Sequence, residues 1–523
     1  MIIFLYSSHR KIHRIGNALY SCDRKHNGKH HMLFNSWEFL ILLLITLACF
    51  YAVPRSAAQK CIQTTIFIIA SAIFYAWEDW RLLSLLIISC GGNAAATVHI
   101  LSKKAAGDDA GVKRWVKGAV ILNLVLLGLF KYAGLIVSSI PGIPQQWVSW
   151  VCSIPLPIGI SFYTFHGISM VVDMSRGKVH AYDRMIQTEP KSRLYTITMR
   201  DMGLYLLMFP QLIAGPIIKA HYFWPQLKAK LWNNIDWARA LRYLVTGYFF
   251  KMVVADNLAP VTEVLTSAEY IRQADGITLL ILLLGYSVQI FADFGGYSMI
   301  AIGLAALFGY RFPINFNFPY ISTSLTQFWQ RWNMTLSAWL KDYLYIPLGG
   351  NRKGAVRTYI NLFLVMFLGG LWHGADWKFA LWGSMHGLVL AAERFVMHTS
   401  WGKKMQIPQW ISIPYCLVIV CGLWTTFLMP DIETVQLFFV QVCSRFCCSP
   451  AALISNPAIY SVAVFSSFII LYHIWGWRRE NRQKHTPYLR GTLSFRGACV
   501  YGFMLFMILT NSGPQCGFVY FQF

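Results

Sequence analysis

The chain of 523 residues carries 45 Lys and Arg against 22 Asp and Glu, a net charge of +23, yet only 13% of its residues are charged and 56% are apolar. That apolar content excludes a disordered basic tail, and it excludes a soluble nucleic-acid binder, because too little polar material remains to cover the surface of so large a protein. Apolar runs recur from Leu40 to Thr510 with no polar block large enough for a soluble domain, so the sequence predicts one all-α polytopic membrane domain.

A span needs roughly 20 apolar residues to cross about 30 Å of hydrocarbon, and Lys and Arg collect in cytoplasmic loops. Residues 1–31 form a basic N-terminal extension with Arg10, Lys11, Arg14, Arg24, Lys25 and Lys29. Counting back through spans near 82–101, 61–77 and 39–53 from a cytoplasmic cluster at Lys103, Lys104, Lys113, Arg114 and Lys117 puts this extension on the wrong side. The expectation is therefore a misassigned start, with Met32 as the biological one; intact-mass analysis of protein made from its own promoter decides it. The alternative is a basic cytoplasmic extension that breaks the parity, and neither version resembles a signal peptide.

Apolar stretches at 118–140 and 150–172 flank an uncharged turn from Pro141 to Gln146 and return to a second basic cluster, Arg176 to Arg200. Tyr205 to Ile218 is apolar but broken by Gly215-Pro216, and both its flanks are basic. This predicts a re-entrant segment, whose irregular backbone must be buried in protein or line a cavity. Spans near 243–258 and 277–308 enclose an outside loop with Glu263, Glu269 and Asp275. Arg311 to Arg357, punctuated by Pro313, Pro319 and Pro347, reads as a cytoplasmic layer dipping into the membrane. Spans near 358–372, 377–395, 411–430, 458–477 and 497–511 bring the total to about eleven, with Arg478, Arg479, Arg482, Lys484, Arg490 and Arg496 inside. Residues 32–511 are thus the membrane domain and 512–523 an extracytoplasmic aromatic tail. There is no internal repeat and no low-complexity tract.

Ionisable groups at membrane depth cost several kcal/mol, which makes each a functional candidate. At about 1.5 Å per residue, the run from Tyr359 to Trp372 climbs about 21 Å of the ~30 Å core and sets His373 within the bilayer. Its imidazole suits a general base that takes a proton from a hydroxyl or thiol; the plain alternative is a structural histidine bonded to a neighbouring helix. Asp293 is an acid inside an apolar span and needs a basic or hydroxyl partner, as an ion pair or as part of a site. His386 follows on the next helix and can face the same cavity as His373, whereas His166 reads as a packing residue. The tail Gly517 to Phe523 is too short to fold alone, so its aromatics dock on the membrane face or on a partner. The 12 cysteines form no convincing metal site; Cys443, Cys447 and Cys448, placed in an outside loop, and Cys516 in the tail permit a disulfide without fixing its pairing. No Gly-x-Ser-x-Gly elbow, P-loop or His-Glu-x-x-His is present.

Three motifs in order, Gln211-Leu-Ile-Ala-Gly-Pro216, Phe328-Trp-Gln-Arg-Trp-Asn333 with its continuation to Asn351-Arg352, and Gly370-Leu-Trp-His-Gly374, resemble the membrane-bound O-acyltransferase (MBOAT) family. The likeness runs from about Met32 to Phe523 and is specifically to the bacterial branch of alginate O-acetylation and teichoic-acid D-alanylation membrane proteins. It implies the MBOAT fold of about eleven membrane helices plus re-entrant segments around a central tunnel, with the acyl donor entering from the cytoplasm and the acceptor from the other face. His373 maps to the family's catalytic histidine. The branch usually carries a second histidine where this chain has Asn333, which can hydrogen-bond a thioester carbonyl but cannot exchange protons. Asp293 resembles a polar position near the tunnel. The tail resembles the branch's terminal aromatic motif, whose tyrosine is thought to carry the acyl group outward; Tyr520 is then a possible carrier, with an interfacial aromatic anchor as the alternative.

Arg331, Lys341, Asn351, Arg352 and Lys353 lie in the predicted cytoplasmic layer and can hold the phosphates of coenzyme A, although a plain positive-inside surface predicts the same residues. Asp342 can order that layer. The functional expectation is transfer of an acetyl or other acyl group from a cytoplasmic thioester, acetyl-CoA as co-substrate, to an exported polysaccharide across a bacterial cytoplasmic membrane. No bound cofactor, metal or nucleic acid is expected. A periplasmic or extracellular SGNH-type acetyltransferase, with the export machinery, completes delivery. A proton-coupled transporter or flippase of a lipid-linked glycan, relaying protons through His373, Asp293 and His386, is the rival, and a membrane scaffold a third.

Overall fold

A backbone in hydrocarbon must satisfy its own amides, and a helix does so within one segment. The computed structural model describes residues 32–180, 182, 185–212, 215–400, 402–446, 455–482 and 495–518, and among these there are helices and no strand. The basic extension of residues 1–31, Cys447, Cys448 and Tyr520 lie outside the described residues. The main helices are α1 (Trp37–Ala52), α2 (Gln59–Asp79), α3 (Leu83–Ala105), α4 (Asp109–Leu127), α5 (Gln145–Cys152), α6 (Ile160–Ser175), α7 (Lys191–Leu207), α8 (Trp237–Tyr248), α9 (Gly276–Leu307), α10 (Leu325–Arg331), α11 (Met334–Leu340), α12 (Gly354–His373), α13 (Trp377–His398), α14 (Gln409–Leu428), α15 (Ile432–Ser444), α16 (Pro457–Arg482) and α17 (Phe495–Thr510). Among the described residues 7 helices are long and apolar enough to cross a membrane, and α1, α15 and α17 are shorter apolar helices. Ile41, Leu388, Val418 and Leu471 are more than half exposed, as expected where the surrounding solvent is lipid. The protein is an all-α, multi-pass membrane protein.

The 32-residue α9 is buried on nearly every side, which an apolar helix can be only at the centre of a bundle. It meets α8 at Gly247 and Gly296, where an added Cβ on either would lie 2.8 Å from the other's carbonyl oxygen. Helix α8 runs beyond its predicted start and end, through a π turn at Phe249–Ala255 into Asp256–Thr262. A second close crossing joins α12 to α13. A Cβ on Gly370 would lie 2.2 Å from the Phe379 carbonyl oxygen, and one on Gly383 2.3 Å from that of Met366, so only glycine lets these backbones approach.

Two predicted elements differ. The stretch 150–172 is not one span: α5 ends at Cys152, the chain turns through Pro155 and Pro157, and α6 starts after Gly159 at φ 74°. The prolines withhold amide donors and Gly159 adopts the left-handed conformation that a side chain disfavours. Cys443 lies in α15 rather than in a loop, and its thiol is free.

The predicted broken segment is present. Helix α7 stops at Leu207, Phe209–Leu212 makes one turn, and the chain from Gly215 runs extended to Lys219. Its amides are satisfied by side chains: Ile217 N donates to Thr335 Oγ1 (2.9 Å), Ile218 N to His166 Nε2 (3.2 Å), Ala220 N to Ser169 Oγ (3.0 Å) and His221 N to Asp173 Oδ2 (3.3 Å). His166, Ser169 and Asp173 recur at helical spacing on one face of α6, so this buried polar stripe replaces the water that such a segment would otherwise need.

Candidate active site

Helix α12 ends at His373 because Gly374 is fully extended (φ −159°, ψ 153°). The last carbonyls of a helix have no partner within it and carry partial negative charge. Here a second π turn, Gly128–Tyr132 at the end of α4, supplies donors to two of them. Lys131 Nζ donates to Trp372 O at 2.5 Å and Tyr132 OH to Leu371 O at 2.9 Å. The backbone that carries His373 is thereby fixed from across the bundle.

The imidazole of His373 is buried, 4% exposed. It stands edge-on to Trp382 (5.1 Å between ring centres) and to Phe427 (5.6 Å). Trp382 also contacts His386 (4.7 Å), so both histidines meet one indole. Trp329 of α10 closes the other side of His386 at 5.1 Å. From Trp382 the wall continues to Trp424 (5.7 Å) and then to the fully buried Trp332 (5.2 Å), the residue before Asn333. On the opposite flank Trp372 stacks on Phe165 (5.6 Å), which stacks on Trp339 of α11 (3.8 Å). His373 and Asn333 therefore border one aromatic wall built from α6, α10, α11, α12, α13 and α14.

Asn333 is buried with φ 43° and ψ 52°. Asn315 locks this left-handed corner: its carbonyl accepts from Met334 N (2.9 Å) and its Oδ1 from Thr335 Oγ1 (2.9 Å). The Asn333 Nδ2 is left buried without a hydrogen-bond partner among the described residues. The same holds for His386 Nδ1, Trp329 Nε1, Trp372 Nε1 and Trp382 Nε1. Buried polar groups are ordinarily satisfied by protein or by ordered water, so these atoms are open to a polar ligand or to water.

The other predicted residues fall elsewhere. Lys341, Asn351, Arg352 and Lys353 are exposed. The loop of the last three is tied to α12 by Asn361 Nδ2 donating to Gly350 O (2.9 Å). It stands at the opposite end of α12 from His373, about 30 Å away at 1.5 Å per residue. Asp342 bonds Lys219 at 2.6 Å; partial burial pushes its carboxyl up, but the Lys219 bond and charge outweigh this and hold it below the ordinary value. Arg331 is engaged with Glu480 of α16 through two bonds of 2.8 and 2.9 Å. Asp293 faces Lys251 at 2.8 Å, and Lys251 also holds Asp256 at 2.7 Å. Among the described residues no metal-binding cluster exists.

Sequence reasoning missed Lys131, Tyr132, Lys251, Trp382 and Trp424. Lys131 and Lys251 were signalled, each a lone cation inside an apolar stretch; the tryptophans were not, because an aromatic in a span is ordinarily packing.

The family model described as membrane-bound O-acyltransferase matches residues 147–429. The chain is 36% identical to a probable alginate O-acetylase AlgI of Azotobacter vinelandii over 411 residues, 77% of this chain and 76% of that protein. It is 31% identical to a peptidoglycan O-acetyltransferase of Helicobacter pylori over 77% of this chain and 78% of the relative. A teichoic acid D-alanyltransferase of Bacillus subtilis is 27% identical over 47% of this chain and 60% of its own length.

Proposed function

This chain belongs to the membrane-bound O-acyltransferase family and is an acyltransferase, and we propose that it takes an acetyl group from cytoplasmic acetyl-CoA and moves it across a bacterial cytoplasmic membrane for O-acetylation of an exported polysaccharide. The names of the alginate and peptidoglycan relatives support the acceptor class. The observation that carries the reading is the buried His373 at a fixed helix end, beside a wall of polar atoms that have no hydrogen-bond partner among the described residues. In this mechanism His373 removes the proton of the acceptor hydroxyl and the oxygen attacks the thioester carbon. Asn333 Nδ2 donates to the carbonyl oxygen as it gains charge. The new C–O bond replaces the C–S bond, and the imidazolium returns its proton to the leaving thiolate.

Lys341, Asn351, Arg352 and Lys353 receive the donor's phosphates at the entrance, the last three a helix length from His373. Tyr520 is the first acceptor and presents the acetyl group on the far side, where a partner of SGNH type completes delivery with the export machinery. The transport alternative requires protons to pass between His373, Asp293 and His386. Asp293 is bound to Lys251, which favours acyl transfer.

The test is purified protein in lipid nanodiscs with radiolabelled acetyl-CoA. Thioester hydrolysis and covalent label should fall at least 100-fold in His373→Ala while its elution and thermal unfolding match wild type. Unchanged turnover in that variant overturns the assignment.

A further inference from the structure

Residues 511–518, the described part of the chain beyond α17, turn back into the protein. Residues 511–518 run along the π turn of α8. Asn257 Nδ2 donates to Asn511 O (2.9 Å), Gly513 N to Met252 O (2.8 Å) and Lys251 Nζ to Cys516 O (3.1 Å). A Cβ on Gly513 would lie 2.5 Å from the Asp256 carbonyl carbon, so the tail is seated against the α8 backbone itself. Phe518 is 1% exposed, with its ring 4.6 Å from that of Tyr297 and 5.8 Å from that of Phe294 on α9.

The chemistry of Lys251 ties this docking to the buried ions. An ammonium has three N–H donors and no acceptor. Two are taken by Asp256 and Asp293, and the Cys516 carbonyl takes the third. With the tail seated, all three ionic side chains are at most 3% exposed. A tail that leaves strands a charged donor in the interior, a desolvation cost that keeps it seated. The close α8–α9 crossing at Gly247 and Gly296 sets Lys251 opposite Asp293, and the wide turn at Phe249–Ala255 presents the Met252 carbonyl to Gly513.

We propose that Lys251, held by Asp256 and Asp293, is a positioning residue that latches the C-terminal tail inside the protein and so fixes the point from which the terminal aromatic residues start. This rests on the reading of Tyr520 as acyl carrier. Each residue beyond Phe518 extends the chain by at most about 3.5 Å, so a latched tail has a short reach and a released one does not deliver to the acyl-transfer site.

The experiment compares wild type, Lys251→Met, Gly513→Leu and Tyr520→Phe, each as full chain in nanodiscs with radiolabelled acetyl-CoA. Three readouts are taken: hydrogen exchange of amides 511–518, thioester turnover, and label on the C-terminal peptide. In Lys251→Met and Gly513→Leu the tail amides should exchange at least tenfold faster while the rest of the exchange map is unchanged. Tail label should fall at least tenfold, and thioester turnover should fall with it, because the tail's Tyr520 is the first acceptor. Tail amides that stay protected overturn the latch, as does full labelling of a released tail. A loss of protection throughout the protein also overturns it, since that is a merely structural role. Gly513→Leu leaves the ion cluster intact and decides the matter where Lys251→Met does not fold. If Tyr520→Phe takes label like wild type, or wild-type tail takes none, the carrier reading falls, and the exchange comparison still accepts or rejects the latch.

Discussion

Asn333 separates two properties that one residue supplies: a left-handed backbone and a buried amide donor. Left-handed conformation costs an ordinary residue roughly 1–2 kcal/mol and costs glycine almost nothing. Asn333→Gly should therefore unfold within a few degrees of wild type but lose at least tenfold in thioester turnover, whereas Asn333→Ala should lose both. Thermal unfolding measured beside turnover distinguishes them, and a fully active Asn333→Gly would remove the amide from the mechanism. Lys131 gives a second residue-scale expectation. A cation at a partly buried helix end contributes up to about 2 kcal/mol, so Lys131→Met should lower the unfolding temperature and reduce turnover more than it changes the apparent affinity for acetyl-CoA.

Among the elements, the extended stretch after Gly215 depends on α6 for its hydrogen bonds. Ser169→Ala leaves the Ala220 amide buried without its acceptor, at about 1–3 kcal/mol, and a drop in unfolding temperature with little change in exposed-loop exchange is expected. The crossing of α12 and α13 tolerates even less. A methyl at Gly383 meets the Met366 carbonyl oxygen at 2.3 Å, and overpacking of this kind costs typically 1–3 kcal/mol or more. Gly383→Ala should destabilise the protein and move His373 relative to Trp382, with turnover falling further than stability alone explains. The Lys219–Asp342 pair has an acid signature. A carboxyl held below its unfolded value, near 3.9, stabilises the fold above that value, and the contribution disappears as pH falls through the folded value. Asp342 is of this kind, so the unfolding temperature should fall below about pH 4 and Asp342→Asn should remove its share of that loss.

For the whole molecule, the excess of positive charge and the apolar runs fix a polytopic chain, and they predict that the clusters around Lys113, Arg193 and Arg479 share one side of the membrane. Single cysteines placed at these positions should be labelled by an impermeant thiol reagent only from the cytoplasmic face; labelling of one from the opposite face would overturn that orientation. Much of the candidate site was legible in the same way. His373 stood out because an imidazole follows an apolar run, Asn333 because it ends an aromatic motif, and the broken segment because Gly215-Pro216 cannot continue a helix. Asp293 was visible as an acid in need of a partner, but not the identity of that partner.

Hydropathy, charge bias and helix breaking are sums over neighbours in the chain, and these the sequence determined by itself: the solvent, the helical class, the broken segment and the histidine at a helix end. Which charge meets which was decided only by packing. Lys251 meets Asp293 because two glycines let α8 and α9 touch, Arg331 meets Glu480 across more than a hundred residues, and Lys131 reaches the end of α12 from α4. The tail's destination belongs to the same class, since the third donor of a buried ammonium is satisfied only once the helices around it have assembled.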